Sequence, residues 1–441
     1  MNAKLKKAVL AAAIVSTPLA ASAANLYGGG ASLPAIAYVG DTYITTFPLA
    51  RFSTTDTSIL PNSYEGVLAT TDSIFSEYKY INDNNVSYCQ TGSGIGKDIL
   101  VGETGENGIW NADGECGYYY DGYALPMGFN APAGQFVPDF ISSSAPLRGD
   151  DIDDFYSGPR LSARTNLVQV PVLGSYIALP VQLDGGYAGT PNLTTDQVCG
   201  IFSGIYRSWD EIGFSSNSDP INVVYRDDDS GTTFAFTQYL ASTCNGRTIG
   251  NVTIPSNFFQ TSEWFGHVIP VSPSLLYAEF SQRYGEAGVI QEVLTEPWSI
   301  GYAGYAGIDA ENQGGNTLGY AKIDNNDPAS GGSISVGTGD ILIDTVLGNP
   351  GANGLPTTQS LASAGGTEAE CLAVVEPAIQ LTQTYPIVAF TNLLTYTENN
   401  PSATAVEDLF EEVTSGSSSL PAGYARINST DVGNIISSCI N

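Results

Sequence analysis

The chain is poor in histidine, in basic residues and in long apolar runs, and each shortage removes a class of function. Its 441 residues include a single histidine, His267, and no Gly-x-Ser-x-Gly stretch accompanies it. A Ser-His-Asp hydrolase would need that histidine as its base, so neither a triad nor a nucleophile elbow is expected. No Cys-x-x-Cys occurs either, and with one histidine a structural zinc site is not expected. Lys and Arg total 15 against 45 Asp and Glu, a formal net charge of −30. A surface of that sign repels phosphate backbones and anionic headgroups, which removes nucleic acids and acidic membranes as partners. After the first residues, no window reaches the roughly 18 uninterrupted apolar residues of a transmembrane helix. Membrane insertion is not expected.

What is present fits a large exported protein. Hydrophobic residues make up 42% and are spread along the chain, as in a globular protein with a substantial core. The opening stretch has Lys4, Lys6 and Lys7, an apolar run from Ala8 to Val15, and then Ala21-Ser22-Ala23. That order is a secretory signal peptide, so residues 1–23 are expected to be removed. No cysteine follows the cleavage point, and no lipid anchor is expected. Cys89, Cys116, Cys199, Cys244, Cys371 and Cys439 form an even set, which in an exported chain reads as disulfides. Sequential pairing is the simplest arrangement.

Helix-like and strand-like segments alternate. Leu167 to Val181 is a nearly continuous apolar run, read as one or two buried strands, and Tyr385 to Tyr396 has the same character. Thr194 followed by Gln197 is a capping-box signature for a helix that stops near Gly204. "INVVYR" reads as a β-branched strand and "TTFAFTQYLAST" as a helix. The mixture indicates an α/β fold with mostly parallel sheets. The Gly-, Asn- and Ser-rich region from about Gly304 to Gly366 is expected to hold loops and short strands.

Three stretches place glycine and hydroxyl residues just before a helix: "GGGASLP" (Gly28 to Pro34), "TGSGIGKD" (Thr91 to Asp98) and "RDDDSGTT" (Arg226 to Thr233). Unpaired N–H groups at a helix start, with glycines that admit close approach, are suited to hold an oxyanion. Such loops ordinarily serve only as turns and caps. The second fails as a nucleotide loop, because Thr91 stands at the first required glycine and Asp98 at the required Ser/Thr. Arg226, four residues before Ser230, adds a bidentate cationic contact to the third.

"GGGASLP", "GSGIGK", "SSAPL", "CGIFSG…W" and "VVYR…SGTTFAFTQYL" follow one another in an order that resembles the phosphate-binding proteins of bacterial phosphate ABC importers. The likeness is greatest to their DING branch, although Asn25-Leu26-Tyr27 stands where that branch has its eponymous opening. The resemblance implies a two-lobed periplasmic-binding-protein fold of type II with a cleft between α/β lobes. Lobe one would comprise residues 24–173 and a return segment 387–441, and lobe two residues 174–386. It implies capture of phosphate, or a related oxyanion, with no cofactor, in a periplasmic or secreted protein that partners an ABC permease. By motif, the implied ligands are the Ser32 hydroxyl, the Leu33 backbone N–H, Ser93, Arg226, Ser230, Gly231 and Thr232. Asp228 would orient Arg226, and Cys199 would pair with Cys244.

One position departs. The family reads Ser-Asp-Ala-Pro-Leu where this chain has "SSAPL", so Ser144, also expected among the ligand-binding residues, replaces the aspartate that accepts the proton of hydrogen phosphate, and its hydroxyl can accept weakly or donate instead. Such a carboxylate rejects sulfate, a mismatch worth about 10³-fold. Asp150 or Asp151 could supply a substitute, and relaxed selectivity is the expectation otherwise. A secreted structural protein that keeps the fold without transport is the competing reading. Calcium is a weaker one, on "DDIDD" (Asp150 to Asp154) and "DNND" (Asp324 to Asp327), since neither has EF-hand spacing.

Overall fold

The structure is a computed structural model that describes residues 23–40, 51–52, 67–105, 108–116, 127–183, 190–337, 339–367, 371–379, 381 and 385–441. The expected signal peptide lies almost entirely outside the described residues. The strands that position the site are β1 (Asn25–Gly30), β2 (Asn85–Cys89), β3 (Phe140–Ser143), β4 (Leu167–Gln182), β5 (Asn222–Arg226), β6 (Glu279–Arg283), β7 (Ser299–Ile300) and β8 (Val388–Tyr396). The helices are α1 (Ala35–Val39), α2 (Ser93–Val101), α3 (Thr195–Phe202), α4 (Gly231–Cys244) and α5 (Gly285–Thr295).

One continuous sheet runs β6-β5-β7-β4-β8-β3-β1-β2 and continues through short strands beyond β2. On each side of the centre the main strands pair in parallel, while the short strand Arg51–Phe52 beyond β2 pairs with it antiparallel. β1 lies between β2 and β3, with Gly28 opposite Tyr88 and Phe140, and β5 lies between β6 and β7. The centre is antiparallel: β4 and β8 pair from Leu167↔Tyr396 to Tyr176↔Val388. Their register shifts between Pro171 and Leu173, where proline has no N–H to give to the ladder. All sixteen residues of β4 are buried, as its apolar run requires.

This central pair belongs to two hydrophobic cores. Leu167 to Leu173 of β4 and Leu393 to Tyr396 of β8 pack with Leu26, Tyr88, Ile99 and Phe140. Tyr176 to Val181 of β4 and Ala389 of β8 pack with Trp209, Val224, Phe236 and Tyr302. Ile341, Val346, Leu361 and Leu372 return to the first core. Three disulfides pair the cysteines sequentially: Cys89–Cys116, Cys199–Cys244 and Cys371–Cys439. The second ties α3 to α4.

Local sequence explains the helix starts. Thr194 and Gln197 form the reciprocal capping box at α3, and Ser230 caps α4 through the Thr233 N–H. Two expectations need correction. The sheet's main strands are parallel in each half but antiparallel where the two halves join. The region after Gly304 also contains a helix, Tyr305–Gln313, besides its short strands. Its glycine, asparagine and aspartate content hid the helix, which packing against β4 stabilises regardless of propensity.

Candidate functional site

The three glycine-hydroxyl loops meet. The first follows β1, the second opens α2, and the third joins β5 to α4, so all leave the carboxyl ends of parallel strands. Gly92 N–H donates to Gly30 O at 2.9 Å, which joins the first two loops. Gly94 N–H donates to Asp229 O at 3.3 Å, which joins the second to the third. Gly231 has no room for a side chain: a Cβ there would stand 2.5 Å from Ser93 Oγ and 2.6 Å from Ser144 Cβ.

Arg226 stands at the middle of this convergence, 1% exposed. Its Nε donates to Asp228 Oδ1 at 2.6 Å, its Nη2 to Asp228 Oδ2, and its Nη1 to Ser32 Oγ at 3.2 Å. Asp228 is itself fixed by the N–H of Gly285 at 3.2 Å. The pairing holds the guanidinium in plane and neutralises part of its charge. Asp229 contributes its carbonyl to the loop contact, and Asp227 accepts from Gln282 Nε2 at 3.4 Å.

Hydroxyls line the same space. Ser93 Oγ accepts the Ser144 N–H at 3.1 Å, and Ser230 Oγ accepts the Thr233 N–H at 3.1 Å. Each therefore retains its own proton to donate. Gly231 and Thr232 are the first two residues of α4, where N–H groups have no intrahelical carbonyl and the helix dipole is positive. Leu33 places its side chain in the second core although its loop begins on β1 of the first. Every ligand position named from the motifs is buried: Ser32, Leu33, Ser93, Arg226, Ser230, Gly231 and Thr232.

A PBP superfamily domain model matches residues 54–417. The chain belongs to the PBP superfamily. It is similar to alkaline phosphatase L of Pseudomonas aeruginosa, 28% identical over 267 residues, covering 59% of this chain and 55% of that protein. It is also similar to a phosphate-binding protein of an unknown prokaryotic organism, 40% identical over 78 residues, or 18% of this chain and 20% of that one. The chain thus spans about half the length of the first relative and a fifth of the second. Among solved structures, a phosphate-binding protein from Stenotrophomonas maltophilia matches with a TM-score of 0.55 at 21% identity, covering 95% of this chain and 94% of that one. A high-affinity periplasmic phosphate-binding protein of the DING group, bound with phosphate, matches with a TM-score of 0.55 at 22% identity, covering 94% and 93%. These likenesses show the fold, that of two-lobed periplasmic binding proteins.

Within this PBP-superfamily frame, other sequence readings resolve differently. Ser144 Oγ pairs with Thr391 Oγ1 at 2.8 Å, so its hydroxyl is engaged by the central strand β8. Neither neighbouring aspartate takes the place of the missing carboxylate. Asp150 is exposed beside Arg148, and Asp151 accepts the Arg148 N–H at 2.7 Å and faces Lys97. Asp324 accepts from Thr195, and Asp327 pairs with Lys322 at 3.1 Å. Among the described residues no group of His, Cys, Asp and Glu gathers to hold a metal. His267 lies exposed at the end of the short turn Phe265–His267.

Sequence reasoning missed three supports and one acid. Tyr302 accepts the Arg226 N–H at 3.2 Å and shares a hydrogen bond with Thr233 Oγ1 at 2.8 Å. Tyr424 donates to the carbonyl of Leu33, and Thr391 holds Ser144. The acid is Glu286, 6% exposed, with Oε2 at 3.4 Å from Thr232 Oγ1. Only the glycine before it gave a signal: Gly285 needs φ +65, a position where the chain turns sharply into α5. Beside Ser144, a groove of about 720 Å³ runs between the two cores past Phe234, Gln238, Val388 and Asn392.

Proposed function

We propose that this chain is an extracytoplasmic binding protein that captures phosphate, or a related tetrahedral oxyanion, between its two lobes for ABC-type uptake. The lobes of the proposal follow the two cores, and the chain first crosses near Leu173 and Gly174 of β4. The stretch from Ile341 to Ala373 goes with the first core rather than with the expected lobe two, and the last crossing lies in β8 near Phe390. The observation that supports it is the convergence of three loops on Arg226, where Ser32, Ser93, Ser230, Gly231 and Thr232 lie buried together and Asp228 fixes the guanidinium. The phosphate-binding relatives and fold neighbours support the same reading.

Binding on this reading is closure of the lobes over a dehydrated anion, so the ligand shifts an open–closed equilibrium by its preference for the closed form. The global charge of −30 does not forbid it, because salt screens charges beyond roughly 8 Å while buried donors act at contact. The relative named as a phosphatase raises hydrolysis as a second activity. The donors and Asp228 are suited to holding an anion, and capture without turnover is the reading proposed.

Calorimetric titration of ligand-stripped protein with inorganic phosphate tests this. Saturable binding of one phosphate per chain, with no release of p-nitrophenol from p-nitrophenyl phosphate, is the expected outcome. Absence of saturable binding sinks the reading and leaves a scaffold that has kept the fold.

A further inference from the structure

Glu286 is the second residue of α5, and its carboxyl group lies among the donors rather than behind them. Oε2 is 3.4 Å from Thr232 Oγ1. A Cβ on Gly304 would stand 3.0 Å from Oε1 and 2.6 Å from Leu33 Cδ1, which puts the carboxyl beside Leu33 as well. The Gly304 N–H donates to it, and the Arg226 charge acts on it from β5. Tyr424 faces it from the C-terminal segment, and Asp228 is held at the start of the same helix by Gly285. The buried carboxyl thus lies at hydrogen-bond distance from the Thr232 hydroxyl and near the Leu33 side chain, at the start of α4 where an anion would be held.

We propose that Glu286 selects the ligand by its proton: its carboxylate accepts the O–H that hydrogen phosphate and hydrogen arsenate carry and sulfate lacks. The assignment rests on the oxyanion reading of the site. Ser144 supplies no carboxylate here, since its hydroxyl is paired with Thr391 and its N–H with Ser93. Asp150 and Asp151 are turned elsewhere. Glu286 comes from α5 instead, and reaches Thr232 at the start of α4.

The pH behaviour follows. Burial raises the Glu286 pKa to about 7, against the lowering effects of Arg226, the Gly304 N–H and the Thr232 hydroxyl. Above that pH the carboxylate and sulfate present two negative groups with no proton between them. Below it, the neutral acid donates its own proton to a sulfate oxygen. Sulfate affinity therefore rises as pH falls through about 7, while a phosphate ligand can bring the shared proton itself.

The test is titration of wild-type protein and E286Q with phosphate and with sulfate at pH 5.5 and 8.5, with thermal melting as a check on folding. Wild type is expected to prefer phosphate by about 10³-fold at pH 8.5, and by at least about tenfold less at pH 5.5. For E286Q the preference is expected to fall within about tenfold and to lose its pH dependence. Unchanged selectivity and slope in E286Q, with phosphate still bound, overturns the assignment alone. Equal tightening of both anions overturns it too, because the carboxylate would then be an internal competitor. If E286Q does not fold, sulfate affinity of wild type that stays flat between the two pH values overturns it. Wild type that binds neither anion removes the oxyanion reading itself and the assignment with it.

Discussion

Arg226 donates to Ser32 at 3.2 Å, and the two residues come from loops that close opposite halves of the sheet. The contact makes the guanidinium a strut between the halves, and on the proposed reading the same group also meets the anion. Its Nε and Nη2 are committed to Asp228, so Nη1 is the group that reaches across.

Replacement of Arg226 by Lys keeps the charge and loses the planar fork. Phosphate affinity should fall about 10- to 100-fold, in line with the loss of one or two charge-assisted hydrogen bonds. Asp228→Asn should cost about tenfold, since one oxygen still accepts while the orienting charge is gone. Calorimetry at fixed ionic strength reads both. Full affinity in R226K would remove Arg226 from the binding surface.

Gly94 and Gly231 let the loops approach each other. A Cβ at 94 would stand 2.3 Å from Asp229 Cβ, and one at 231 would stand 2.7 Å from the Ser144 carbonyl carbon, which cannot rotate away. Neither glycine has positive φ, so alanine suits the backbone and favours each helix. G231A should therefore weaken phosphate binding by more than about tenfold while the ligand-free melting temperature moves by less than about 4 °C. A melting temperature that collapses together with binding would make Gly231 a packing residue only.

The parts of this site that were legible in the sequence are those encoded locally. Ser32, Ser93, Ser230 and Thr232 lie in or at the end of glycine- and hydroxyl-rich loops that the sequence displays, but their expected role as ligands came from the order of the family's motifs. β4 was legible because burial on both faces demands an unbroken apolar run. Glu286, Tyr302 and Thr391 were not, because each is an ordinary residue in an ordinary helix or strand. They acquire a role only from what the sheet order brings beside them: Tyr302 follows β7, next to β5, and Thr391 lies on β8 opposite Leu173. The helix Tyr305–Gln313 escaped for a related reason, since packing against β4 overrides its weak local preference.

Lys97 illustrates the same limit and carries the last prediction. In the sequence it follows a glycine in a loop that lacks the first glycine and the Ser/Thr of a nucleotide loop, so no role is legible for it. In the structure its side chain is 4% exposed, and Nζ lies 2.8 Å from Glu263 and 3.4 Å from Asp151. Burial works against its charge, but Asp151 and Glu263 more than compensate, and its pKa stands above that of an ordinary lysine. The stabilisation that this raised pKa brings is complete below the ordinary lysine range and is lost only as pH rises beyond it. Glu263 lies in the segment after α4 and Asp151 in the helix Gly149–Ser157, so the lysine joins both halves. Lys97→Met should leave two acids facing each other without a cation, and destabilise by about 3–5 kcal/mol at pH 7.5. The repulsion that the missing cation leaves behind is relieved as protons are added. The deficit relative to wild type should shrink as pH falls toward 5, and K97M/E263Q should recover part of it at pH 7.5. Urea denaturation at the two pH values reads this. A deficit that does not change with pH would mean that Lys97 acts through packing of its stem rather than through its charge.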